Sequence, residues 1–452
     1  MTQPRRKQLS WEQFPEMTPH AAGIDVGNAE HYVAVPPERD PEPVRRFGCH
    51  TAELHALADW LARCGIETVA MESTGIYWVP LFEILESRGF TVCLVNARHA
   101  KNLPGRKTDL KDCQWLQKLH SCGLLNKSFR PAADIVTLRR YLRHRESLVA
   151  EAGTCVQRMQ KALTEMNVQL ANVISDLSGL TGMRIIRAVL EGERDGHRLA
   201  ALRDGRIRAS EQEIAASLEG NWRDELLFVL AQNVAAYEFY QQQLTECDQR
   251  IQTHLQSLAT KVDPTVEPPP ARRKGKRAHG NAPAFNLRTE LYRLTGTDLT
   301  QIDGVDVVTA QAILAEIGTD MSAWPTEKHF ASWLDLCPDH RISGGKVLRR
   351  RTRQVVNPAA TALRLAASTL RKSQSALGAK YRRLLSRLGP AKTITALAHH
   401  LARLVYRMLK FGSHYVDTGL AAYEDKVRQQ QRKWLDRKAA ELDLRLVPLG
   451  SS

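Results

Sequence analysis

The sequence predicts a mixed α/β domain at its start, a long helical region after it, and a mainly α domain in its last third. Three observations support this. Short β-like runs alternate with helical ones between about residues 20 and 125. Two long stretches that follow carry apolar residues at three- and four-residue spacing. A basic, proline-rich segment then separates those stretches from a further helical pattern. At 452 residues the chain is too long for one ordinary core. The boundaries read as a tail over 1–19, an α/β domain over 20–128, helices over 129–261, a linker over 262–288, a C-terminal domain over 289–415 and a charged helical tail over 416–452.

In the first domain, Ala21–Val26 and His31–Val35 read as strands joined by a Gly-Asn turn. A helix fits 51–64, where Leu54, Leu57, Trp60 and Leu61 share a face. Ile66–Met71 and Phe90–Val95 read as two more strands, with a helix over Val79–Ser87 between them and another from Asp109 to Cys122. This order predicts a mixed sheet flanked by helices.

The first long helical seam runs through Ile135, Leu138, Leu142, Val149, Ala152, Val156, Met159, Leu163 and Met166, with Arg145 interrupting it. A second runs through Leu226, Leu230, Asn233, Tyr237, Tyr240, Leu244, Cys247, Ile251 and Leu258. The pattern fits a coiled coil, and it serves pairing within one chain and between chains equally well. In the linker, Pro264, Pro268, Pro269 and Pro270 precede the basic run Arg272–Arg277.

Lys and Arg number 64 against 49 Asp and Glu, a formal charge of +15, and the pI is 9.6. Such a balance favours a polyanionic partner, with nucleic acid foremost. No apolar run is long enough to span a bilayer, and the polar start carries no secretory pattern, so a cytoplasmic, nucleoid-associated protein is expected. The eight cysteines form no CxxC pair and are expected to be reduced.

The chemistry-bearing residues of the first domain are acidic. Asp25 closes an apolar strand, Glu72 follows another, and Asp109 and Asp112 open a helix on one face, beside Arg106 and Lys107. Each alone could be a turn former or a helix cap. Four carboxylates brought together repel one another unless cations neutralise them, and hard divalent ions such as Mg²⁺ or Mn²⁺ prefer oxygen ligands. Such ions can stabilise the entering and leaving oxygens of a phosphodiester exchange.

Farther on, Ser343-Gly344-Gly345-Lys346 precedes Arg349, Arg350, Arg351 and Arg353. Glycines leave the hydroxyl little shielded, and the basic residues could hold a phosphate. Alone, the segment fits a structural or phosphate-contacting turn as well as a reactive one. Upstream, Ile302–Asp306 and Ala312–Gly318 look like a helix-hairpin-helix, although Asp306 stands where a second glycine is commoner. Arg382 and Arg383 add basic surface, and His399 and His400 have no partner at metal spacing.

Three phrases carry a resemblance: Gly23-Ile24-Asp25-Val26-Gly27, Met71-Glu72-Ser73-Thr74-Gly75-Ile76-Tyr77, and Asn96-Ala97-Arg98 through Lys107-Thr108-Asp109-Leu110-Lys111-Asp112. With these the chain resembles the DEDD insertion-sequence transposases, relatives of the Piv DNA invertase whose first domain is RuvC-like, of RNase H-like fold. The resemblance implies that Asp25, Glu72, Asp109 and Asp112 are the metal-binding catalytic carboxylates, and that Ser343 is the nucleophile of a second, transposase domain. It also implies Mg²⁺ or Mn²⁺ as cofactor, a structured guide RNA besides DNA, and a homo-oligomer, dimer or tetramer. The lead-in Asp335-Leu336-Cys337-Pro338 departs from the family's usual Gly-Leu-Thr-Pro. Two rival functions remain on this reading: a hydrolytic RuvC-like nuclease in which Ser343 is structural, and a nucleic-acid-binding protein without catalysis.

Overall fold

A nearly continuous apolar run, buried at every position but Asp25, makes Ala21–Val26 the strand β1, and Gly27 donates its N–H to the Glu30 carbonyl (3.1 Å) to turn the chain into β2, Glu30–Ala34. The computed structural model describes residues 15–73, 75–96, 109–271, 282–352, 357–412 and 419–446. The chain forms two compact units, Met1–Arg130 and Pro131–Ser452.

In the first unit β2 continues antiparallel into β3, Val44–Gly48. Sequence patterning misses β3 because Arg45 and Arg46 interrupt its apolar character. The structure accounts for Arg45: its guanidinium lies 5.1 Å from the Trp60 ring centre and pairs with Asp40 at 3.0 Å. The Trp60 indole N–H also donates to Asp40 (2.9 Å), so a basic side chain is held against an aromatic one at the sheet's edge. Helix α1, Thr51–Arg63, leads to β4, Thr68–Glu72; α2, Trp78–Ser87, leads to β5, Thr91–Val95; α3, Asp109–Ser121, follows. The sheet order is β3-β2-β1-β4-β5, with β1, β4 and β5 parallel. This mixed sheet fits an RNase H-like DEDD domain.

The sheet has two unlike faces. Ile24, Val69, Met71, Val92 and Leu94 point to a core shared with Leu54, Leu57, Trp60 and Leu61 of α1 and Leu81, Phe82 and Leu85 of α2. The alternate residues Ala70, Cys93 and Val95 form a smaller apolar cluster on the other face.

The second unit begins with α4, Ala133–Glu165. Short helices α5 (Leu170–Val173), α6 (Leu180–Leu190), α7 (Gly196–Ala200) and α8 (Glu211–Ser217) lead to α9, Asp224–Ser257. Helix α9 runs back along α4: His254 bonds to the Asp134 carbonyl (2.8 Å), and Cys247 lies against that of Tyr141. The two long helices therefore pair within the chain. Arg145, which breaks the apolar seam in the sequence, meets Asp248 across this interface with both side chains 11% exposed. The buried positions of α9 are Leu226, Leu230, Val234, Cys247, Asp248, Ile251 and Leu255, so Val234 takes the place expected for Asn233. The buried residues step by four at the start of α9, Leu226-Leu230-Val234, and by three and four near its end, Asp248-Ile251-Leu255.

Residues 262–271, expected as part of a linker, lie along α10, Leu287–Thr295. The Arg293 carbonyl accepts from the N–H groups of Lys261 and Val262, and the Arg293 side chain reaches the carbonyls of Leu255 and Leu258. The basic run 272–277 lies outside the described residues. Then come α11 (Val307–Ile317), α12 (Glu327–Trp333), the strands β6 (Pro338–Ser343) and β7 (Lys346–Thr352), α13 (Pro358–Thr369), α14 (Ala376–Leu388), α15 (Pro390–Phe411) and α16 (Gly419–Ala440). Leu363 of α13, Phe330 of α12 and Leu397, Leu401, Val405 and Tyr406 of α15 are buried here. Among the described residues no helix is long and apolar enough to cross a membrane.

Candidate active site

Helix α3 determines what the carboxylate face of the first unit can look like. A Cβ on Gly23 would stand 2.2 Å from the Gln117 backbone nitrogen and 2.3 Å from the Cys113 carbonyl oxygen, so the helix backbone rests on β1 where only glycine fits. The helix runs opposite to β1. Near its end, the Ser121 carbonyl accepts from the N–H groups of Met17 and Thr18, ahead of β1, and the Gln117 side chain reaches the Ala21 carbonyl. Its start, with Asp109 and Asp112, accordingly lies toward the end of β1 that carries Asp25.

Asp25 follows Gly23 by two residues and so opens on the same face as the helix. In the parallel register Ile24 stands beside Met71, which puts Asp25 and Glu72 at adjacent ends of β1 and β4. Glu72 alternates with Ala70 and so belongs to the same face. Ser73 fixes the chain just after it, donating both its backbone N–H (3.0 Å) and its hydroxyl (3.1 Å) to the Val95 carbonyl.

Cys113, fully buried, reports the charge gathered there. Burial pushes its thiol up to about 12, and the negative charges of Asp25 and Asp112 add to the effect. Two of the expected carboxylates thus lie within electrostatic reach of one sulfur. The same sulfur stays a neutral thiol at physiological pH, a poor metal ligand.

Asp109 begins α3, but its side chain lies outside the described residues, as do Arg106 and Lys107 entirely. Among the described residues, no three His, Cys, Asp or Glu side chains are grouped closely enough to hold a metal. The donor chemistry nonetheless fits a hard divalent cation: the edge offers carboxylate oxygens, and the Cys113 sulfur is withheld as a thiol. Sequence reasoning gave no role to Ile76 and Tyr77, which are 76% and 49% exposed in the turn after Glu72.

In the second unit, Ser343 was expected at a turn. It is the last residue of β6, paired with Lys346 of β7 across a two-residue turn. Gly344 and Gly345 have φ of 54° and 74°, the left-handed pair that a tight hairpin requires. Ser343 and Lys346 are exposed, as are the apolar Ile342, Val347 and Leu348 around them. Arg349, Arg350 and Arg351 occupy β7 opposite Arg341, His340 and Asp339; the side chains of all six, and Arg353 entirely, lie outside the described residues. In the lead-in, Asp335 takes φ of 54°, a left-handed conformation natural to the family's usual glycine and tolerated by aspartate. The helix-hairpin-helix-like turn serves packing. A Cβ on Gly304 would lie 2.6 Å from the Ala366 carbonyl oxygen of α13, and the Asp306 carboxylate caps α11 by accepting from the Thr309 N–H (2.7 Å).

A family model for DEDD transposases of the IS110 type matches residues 22–168, and one for the transposase IS116/IS110/IS902 family matches residues 296–382. The chain belongs to the IS110 family of DEDD transposases. The first match contains all four acidic residues of this transposase; the second contains Ser343, Lys346 and the arginines of β7. Between them lie the short helices α5–α8 together with α9 and α10. No curated protein matches the IS110-family chain. An enzyme of this family cleaves and rejoins DNA, and DEDD domains of its kind typically depend on divalent metal.

Proposed function

We propose that this IS110-family transposase exchanges DNA strands of a mobile element, with Asp25, Glu72, Asp109 and Asp112 as metal ligands and Ser343 as nucleophile. The observation that carries the proposal is the common face of Asp25 and Glu72 at the ends of neighbouring parallel strands, with the start of α3 laid against it. A divalent cation held there, Mg²⁺ or Mn²⁺, would polarise the scissile phosphodiester and stabilise the leaving oxygen.

The chain's own part is nucleophilic. A bond forms between Ser343 Oγ and phosphorus, the bond from phosphorus to a deoxyribose oxygen breaks, and the proton lost by the serine ends on that released hydroxyl. Attack by the hydroxyl of another strand reverses the exchange. One phosphoester replaces another at each step, so rejoining needs no external energy source. The hairpin suits this role because it holds Ser343 exposed beside Lys346. A guide RNA and assembly as a dimer or tetramer complete the reading and rest on family resemblance.

The test is a denaturing-gel search for protein covalently attached to nicked DNA bearing the element ends, with the RNA of those ends co-expressed. The parent should form the adduct, and Ser343→Ala should lose adduct and strand exchange while assembling normally. Glu72→Gln should lose metal-dependent cleavage, by about a thousandfold or more. Recombination by Ser343→Ala at the parent rate would remove the serine from the mechanism and leave water as nucleophile.

A further inference from the structure

A second cationic feature lies outside the hairpin. On α15, His399, His400, Arg403 and Arg407 fall within one arc of the helix, since positions three, four and eight residues apart share a face. Lys380 of α14 joins them, close enough for its charge to act on both histidines and for that of Arg403 to act on it. Among the described residues, one carboxylate answers this group. Glu327 of α12 accepts from Arg403 Nε at 2.8 Å and from Arg407 Nη2 at 3.0 Å, and it is already shared between those two arginines. Among the described residues, nothing forms a hydrogen bond or ion pair with Lys380, His399 or His400.

The balance is unfavourable for the protein by itself. Burial first, and neighbouring positive charge second, lower the proton affinity of Lys380 and both histidines, with His400 brought to about 4. Structural ion pairs arise where opposite charges meet, whereas here cations are gathered with too few anions. Their nitrogens still reach solvent, for none is among the sealed, unpartnered polar atoms that include Arg364 Nε and Thr393 Oγ1. A ligand of dense negative charge would relieve the repulsion and replace the missing acceptors.

We propose that the α14–α15 face built on Lys380, His399, His400, Arg403 and Arg407 binds the phosphodiester backbone of nucleic acid, as a docking site separate from the serine hairpin. A phosphate chain fits better than a single anion, because the donors, two imidazoles kept neutral by burial and two guanidiniums, are strung along two turns of α15 rather than converging on one point. The contact carries no base information, so it should hold DNA or RNA of any sequence. It is independent of the serine assignment and would stand if Ser343 proved structural.

The experiment is fluorescence anisotropy on the full chain with a labelled DNA duplex and a labelled RNA of arbitrary sequence, over a salt series. The double variant Lys380→Gln/Arg407→Gln should bind roughly tenfold more weakly, and its log-affinity against log-salt slope should fall by about two. Lys380→Arg, which keeps the charge, should bind as the parent does. Loss with one polymer alone would identify that polymer as the source of the backbone. Thermal unfolding checks that the variants fold. A measurement on the unsubstituted chain avoids that question: the His400 imidazole resonance should move as either oligonucleotide is titrated in. Unchanged affinity and slope for both polymers in a folded double variant, or a stationary His400 resonance at saturation, overturns the proposal.

Discussion

The carboxylate edge and the serine hairpin are built in opposite ways. Asp25 and Glu72 end strands inside a five-stranded sheet, beneath a helix backbone pressed so close that glycine alone is admitted at residue 23. Ser343 ends a strand of a two-stranded ribbon whose described tip residues are exposed on all sides. A two-stranded hairpin has little intrinsic stability in water, whereas a sheet packed on both faces is rigid. The difference suits a division of labour in which charge-bearing groups are held in place and the attacking group is presented outward. Preorganised electrostatics lose their worth when they move, while a nucleophile that must meet DNA benefits from being reachable.

The contrast is broken most severely at Gly23. Gly23→Ala should destabilise the first unit by about 3 kcal/mol or more, because a methyl group would displace helix backbone rather than a flexible side chain. Chemical denaturation followed through Trp60, buried in that unit's core, measures this. Parent-like stability would mean that α3 can lift off the sheet, and with it the start that carries Asp109 and Asp112.

Much of the edge was legible in the sequence because it depends on local alternation. Strands closing on Asp25 and Glu72, and a helix opening at Asp109, follow from apolar period and residue order. The tight approach at Gly23 did not follow, since one glycine in an apolar strand has many explanations until the opposing helix is seen. Strand β3 was missed because its arginines are held by contacts made through the fold, Arg45 by Asp40 and Trp60 and Arg46 by Glu30. The serine segment was read as a turn without its flanking strands for a related reason. Gly-Gly is permissive, and only register shows that the residues beside it pair as strands. Arg145 looked like a fault in an apolar seam because Asp248, which answers it, lies 103 residues away. Pairing between α4 and α9 within the chain was equally unreadable, because intrachain and interchain packing use the same period.

Cys113 sharpens the comparison without changing any residue. It is buried on the sheet-facing side of α3, and its thiol is raised to about 12, so thiolate should be scarce until pH approaches that value. At mildly alkaline pH, iodoacetamide should modify exposed Cys49 readily and Cys113 only when the unit opens. Mass-spectrometric mapping of labelled peptides gives the two rates. Similar rates for both would show an edge that opens as freely as the surface, contrary to a rigid carboxylate scaffold.

The smallest effect is expected at the hairpin tip. Gly344→Ala and Gly345→Ala each place a side chain at positive φ, which costs about 1 kcal/mol locally, yet neither added methyl group meets a neighbour. Since the strain falls on a two-stranded ribbon, the unfolding midpoint of the whole chain should hardly move. The cost should appear in chemistry, as slower formation of the serine–DNA adduct through a displaced Ser343, with DNA affinity near that of the parent. A rate equal to the parent's in both variants would mean that the turn does not position the hydroxyl. The hairpin would then owe its catalytic geometry to whatever it meets in the assembled complex.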